Sequence, residues 1–84
     1  MYREQVIVRT GEILQARGAR SLTRLACQFR AQSWIDDGRQ RVDAKSMIGV
    51  LSLDIFPENR LTLLADGGDE RSAVQAMAGF FTGI

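Results

Sequence analysis

Between Ala16 and Phe29 the residues Leu22, Leu25, Ala26 and Phe29 recur at the i, i+3, i+4, i+7 spacing of an α-helix, while Arg17, Arg20 and Arg24 fall on the other side. A helix that is apolar along one stripe has to lay that stripe on a second layer. Another such stripe, Ala73, Val74, Met77, Phe80 and Phe81, needs covering in the same way. The remaining apolar segments are of strand type. Val6-Ile7-Val8 lies inside a strand read from Glu4 to Arg9, and Leu61-Thr62-Leu63-Leu64 inside one read from Arg60 to Ala65. Ala31 to Asp36 and Arg39 to Asp43 flank Asp37-Gly38, a hairpin signal. Ser46 stands as an N-cap before Met47-Ile48-Gly49-Val50-Leu51-Ser52-Leu53, a helix of about two turns whose propensity Gly49 lowers. Asp66-Gly67-Gly68-Asp69 reads as a turn, with Asp69 as cap of the last helix. The order βαββαβα predicts an α+β open-faced sandwich: a four-stranded, mainly antiparallel sheet with three helices on one face.

With 84 residues there is room for a single domain spanning 1–84 and one core. Eleven basic and ten acidic residues leave a net charge of +1, too little field to draw nucleic acid or a membrane surface. Tyr2 and Trp34 read as sheet residues rather than a base-stacking platform. Cys27 is the one cysteine and there is no histidine, which argues against a disulfide, a metal site or haem, and no cofactor is expected. The carboxylates fall mostly in loops and turns, without an acid and base pair, so the chain does not read as an enzyme. No apolar run approaches the roughly 18 residues of a membrane span, and the expected compartment is the cytoplasm.

Two segments give the order of elements a name. Leu14-Gln15-Ala16-Arg17-Gly18-Ala19 resembles the active-centre motif of the HPr phosphocarriers of the bacterial phosphotransferase system: an aliphatic residue, His, Ala, Arg, Pro and Ala. Val42 to Leu53 is similar, almost residue for residue, to that family's regulatory serine segment. Phe29, Asp37-Gly38 and Gly67-Gly68-Asp69-Glu70 keep the register between and after them, so the resemblance covers essentially the whole chain. It departs where the family accepts phosphate, because Gln15 occupies the histidine position. The nitrogen lone pair of an amide is delocalised into its carbonyl, so Gln15 is no nucleophile, whereas neutral imidazole has a free ring nitrogen. Gly18 replaces the family's proline and Ile13 its glycine, which should loosen the start of the helix.

Glutamine at this position also marks the Crh branch of the family. That resemblance implies phosphorylation of Ser46 by HPr kinase/phosphorylase. It further implies binding of the phosphoprotein, as corepressor, to a LacI-type repressor, catabolite control protein A, in carbon catabolite repression. Arg17 would pair with phosphate or an acidic partner group, Arg20 and Arg24 would extend that basic stripe, and Met47, Ile48 and Leu51 would form the docking patch while Val50 and Leu53 face the core. The resemblance also implies a homodimer formed by exchange of the first strand, with Thr10-Gly11-Glu12 as hinge. The alternative is an HPr-fold interaction module that binds another enzyme or regulator without phosphorylation.

Overall fold

The structure, a computed structural model, describes residues 1–9, 16–53, 55–56 and 58–83. Four strands and three helices follow in the order β1 (Tyr2–Ile7), α1 (Ala16–Cys27), β2 (Gln32–Asp36), β3 (Arg41–Asp43), α2 (Met47–Leu51), β4 (Arg60–Asp66) and α3 (Glu70–Thr82). The strands lie in the order β1-β4-β2-β3 and every pairing is antiparallel. Residues directly opposite each other share a face of the sheet. Val6 pairs with Leu61, Leu63 with Ile35, and Ile35 with Val42, and all five side chains are buried. These residues meet Leu22 and Ala26 of α1, Val50 of α2, and Val74, Met77 and Phe81 of α3 in one core. All three helices therefore cover the same face, as the order of elements predicts.

The opposite face carries Arg3, Leu64, Trp34 and Asp43 in one row across all four strands. Leu64 is buried there despite the absence of a covering helix, with half-buried Trp34 beside it in register. On the covered face Ser33, in register with Ala65, is a buried polar residue: its Oγ is buried and, among the described residues, has no hydrogen-bond partner. An unsatisfied buried hydroxyl costs about 1–3 kcal/mol. Ser33→Ala should therefore raise the urea midpoint, with the m-value unchanged, by an amount equivalent to roughly 1 kcal/mol. A lower midpoint would show that the hydroxyl is bonded to internal water instead.

The element ends differ from the sequence reading where non-local bonds decide them. The first strand starts at Tyr2 and stops at Ile7, because Val8 leaves β4 and exchanges backbone bonds with the loop, its N–H donating to Asn59 O (2.9 Å) and its carbonyl accepting from Glu58 N (2.9 Å). The hairpin closes around Asp37 to Gln40 rather than around two residues. The Asp37 carboxylate accepts the N–H groups of Arg39 and Gln40, that of Asp36 accepts Gly38 N–H, and Gly38 takes φ +94°. Gly49, which weakens α2 as an isolated helix, lets it approach the sheet: a Cβ there would stand 3.3 Å from Val42 Cβ.

Asp69 stands at the N-cap of α3 but makes no capping bond with its side chain. Its carboxylate reaches across the fold and accepts Arg30 N–H (2.9 Å) and Ala31 N–H (2.8 Å), joining the exit of α1 to the start of α3. Gly67 is required at the same corner, since a Cβ would meet Ala31 Cα at 2.7 Å. The two amide donors, that of Arg30 foremost, hold the Asp69 carboxyl below its ordinary value of 3.8. A carboxylate with a depressed folded pKa stabilises the fold above its unfolded pKa, and this contribution is lost as pH falls through the folded value. Below about pH 4 the wild type should therefore lose stability more steeply than Asp69→Asn, whose neutral amide does not titrate. Parallel curves of melting temperature against pH for the two proteins would show that the clamp does not depend on the charge.

Candidate docking and modification site

Ser46 lies where β3 gives way to α2. The Asp43 carboxylate accepts Lys45 N–H (2.8 Å) and its carbonyl accepts Ser46 N–H (3.1 Å), turning the chain. Ser46 then has extended backbone (φ −105°, ψ 117°), and its Oγ accepts Gly49 N–H at 3.2 Å, the N-cap bond that the sequence predicts. The hydroxyl is half-buried and borders the positive end of a short helix. Lys45 fixes this corner from the other side, donating from Nζ to the carbonyl of Phe29 just past α1 (2.8 Å).

On α2 only Val50 is buried, and Leu53 is buried just beyond the helix. Ile48 is 83% exposed and Leu51 45% exposed, so these two apolar side chains face solvent as expected. Met47 does not fully join them. It is half-buried and packs against the core.

Helix α1 lies beside α2. Arg17, Arg20 and Arg24 are all exposed on the side opposite buried Ala19, Leu22, Thr23 and Ala26. Neither α1 nor α2 contains an acidic residue, and among the described residues none of these three arginines is ion-paired. Two adjacent helices thus present a basic stripe without an ion pair among the described residues and an exposed apolar pair. Leu25 and Phe29, read as apolar-face residues, are only half-buried at its flank and end. Cys27 is exposed at the end of α1. Gln15, Ile13 and the Thr10-Gly11-Glu12 hinge lie outside the described residues.

Sequence reasoning missed one exposed group at this end of the molecule. Phe56 is 63% exposed, in the connection from α2 to β4, and a loop aromatic next to Pro57 and Glu58 offers no periodicity by which to find it. Among the described residues no group of His, Cys, Asp and Glu could hold a metal ion, and no helix is long and apolar enough to cross a membrane.

The chain matches the family described as "PTS HPr component phosphorylation site" over residues 2–82. It is 35% identical over 80 residues to the HPr-like protein Crh of Halalkalibacterium halodurans, covering 95% of each chain. The crystal structure of a phosphocarrier protein HPr from Bacillus anthracis superposes with a TM-score of 0.89 at 31% identity, covering 95% of each chain. That of Crh from Bacillus subtilis, described as a dimer with a swapping domain, superposes with a TM-score of 0.79 at 31% identity, covering 99% of this chain and 95% of the other.

Proposed function

Since the chain belongs to the HPr family of the phosphotransferase system, and since its similarity to Crh extends over nearly its whole length, we propose that it is a regulatory protein rather than a phosphocarrier or an enzyme. Ser46 is phosphorylated by HPr kinase/phosphorylase, and the phosphoprotein then docks on a LacI-type repressor of the catabolite control protein A kind as its corepressor, in the cytoplasm. The observation that carries this reading is the position of Ser46 at the N-cap of α2, the helix that exposes Ile48 and Leu51 and packs next to α1, whose arginines make no ion pair among the described residues. A phosphate at that position meets first-turn N–H groups and the positive end of the helix, so it can be held without refolding. Arg17 is the residue assigned to the phosphate or to an acidic group of the partner, since a guanidinium fork binds oxyanions through two parallel bonds. Arg20 and Arg24 steer the partner, and Met47 supports Ile48 and Leu51 from below. Gln15 supplies no nucleophile, so phosphoryl transfer from enzyme I has no acceptor at the family's active-centre position.

Incubation with HPr kinase/phosphorylase and ATP should add one phosphate to the wild type and none to Ser46→Ala, read by intact-mass spectrometry. A wild-type mass that stays unchanged removes the proposal. A second reading, binding of a regulator independently of phosphorylation, draws on the structural use already made of the Ser46 hydroxyl as a cap. It predicts that partner binding is indifferent to Ser46→Asp. The swapped dimer of the relative suggests that this chain too assembles as a homodimer by exchange of β1. Light scattering should then show a species of twice the mass at high protein concentration, and only monomer over a wide range would oppose it.

A further inference from the structure

In the connection from α2 to β4, Phe56, Glu58 and Asn59 are each held by specific bonds. Asn59 Oδ1 accepts Phe56 N–H at 2.6 Å, Asn59 N–H donates back to Phe56 O at 3.1 Å, and both Glu58 and Asn59 exchange backbone bonds with Val8. Glu58 takes φ +74°, a left-handed conformation that a non-glycine residue adopts only when its surroundings impose it. What this arrangement displays is Phe56, 63% exposed. Beside its ring is a cleft of about 170 Å³ lined by Asp37, Arg39 and Asn59. The Asp37 carboxylate accepts the N–H groups of Arg39 and Gln40. The Arg39 guanidinium is in no ion pair among the described residues. The hairpin that carries Arg39 is fastened to the end of α2, since Gln40 Nε2 donates to Ser52 O at 2.9 Å. The hairpin of Arg39 is thus anchored to the helix that exposes Ile48 and Leu51, and Phe56, which lines the same cleft as Arg39, lies in the connection that follows that helix.

An aromatic residue whose backbone is fixed before binding loses little main-chain freedom on docking, and exposed aromatics carry a large share of the energy of protein interfaces. Charge points to the partner's chemistry. The basic stripe of α1, the absence of acid from α1 and α2, and an unpaired Arg39 all favour an acidic protein surface. We propose that Phe56 and Arg39 form a second anchor of the α2 docking surface, Phe56 entering an apolar pocket of an acidic protein partner and Arg39 meeting a carboxylate on its rim. The inference rests on the docking role proposed for α2, but not on the identity of the partner or on phosphorylation.

A photo-crosslinking phenylalanine analogue placed at position 56, at position 48 and, as control, at Gln5 on the uncovered sheet face tests this in cells that express the full chain. Positions 56 and 48 should capture the same protein, identified by mass spectrometry, and position 5 should not. With that protein purified, Phe56→Ala should weaken binding by about tenfold or more and Arg39→Glu by a similar factor that shrinks at high salt, both variants keeping the wild-type melting temperature. Capture from position 48 alone overturns the second anchor, as do different proteins at the two positions, adducts of this chain with itself, and capture from neither position. Capture of one common protein that is not a LacI-type repressor keeps this inference and refutes the partner proposed above.

Discussion

Replacing Phe81 by alanine should lower the unfolding free energy by about 3–5 kcal/mol, the range for truncating a buried aromatic. A chain of this length has a total stability of roughly 4–13 kcal/mol, so the variant would keep only a fraction of it. The melting temperature would fall by on the order of 20 °C. Phe81 is fully buried near the end of α3, where Phe80 packs edge-on against it with ring centroids 5.5 Å apart. Its backbone matters as well as its ring: Phe81 O accepts Arg9 N–H at 3.0 Å, at the point where the chain leaves β1 towards residues 10–15. The residue thus holds α3 on the sheet through its ring and ties it to Arg9 through its carbonyl. Thermal and urea unfolding of Phe81→Ala beside Phe81→Leu measures the effect, and a loss below about 1 kcal/mol in the alanine variant would mean that the site collapses around the cavity.

The elements legible in the sequence were those whose periodicity is local and strong. The stripe of α1, with Leu22 and Ala26 inside and Arg17, Arg20 and Arg24 outside, needs only helix geometry. The Ser46 cap needs only a hydroxyl three residues before an N–H, and the bond to Gly49 is there. Burial of Val50 and Leu53 and exposure of Ile48 and Leu51 follow from the same spacing. What could not be read depends on residues far apart in the chain. Asp69 looks like a cap from its neighbours, yet its carboxylate binds Arg30 and Ala31, 39 and 38 positions away, because Gly67 lets that corner approach Ala31. Leu64 continues an apolar run, but it is buried on the uncovered face, in register with Trp34 of another strand. Phe56 carries no pattern at all. Its display is set by Asn59 and by the bonds of the loop to Val8.

On the reading proposed for Ser46, Arg17→Ala should weaken the complex of the phosphoprotein with the repressor by about 1.5–3 kcal/mol, roughly 10–150-fold, the worth of a hydrogen bond to a charged group. Arg20→Ala and Arg24→Ala should each cost about 1 kcal/mol or less, since an exposed charge that only steers is screened by salt. The contrast follows from the resemblance: all three arginines share one exposed side of α1 without an acidic neighbour on that helix, but only Arg17 matches the family's motif arginine. The pH dependence distinguishes a phosphate contact from a general basic patch. A phosphoserine has a second pKa near 6, so affinity for the repressor should fall as pH drops through about 6, and Arg17→Ala should flatten that dependence. Calorimetric titration of the phosphorylated wild type and the three variants, at low and high salt and on either side of that pH, separates these contributions. Equal losses for Arg17, Arg20 and Arg24, all removed by salt and unchanged with pH, would reduce the stripe to electrostatic attraction and take the phosphate away from Arg17.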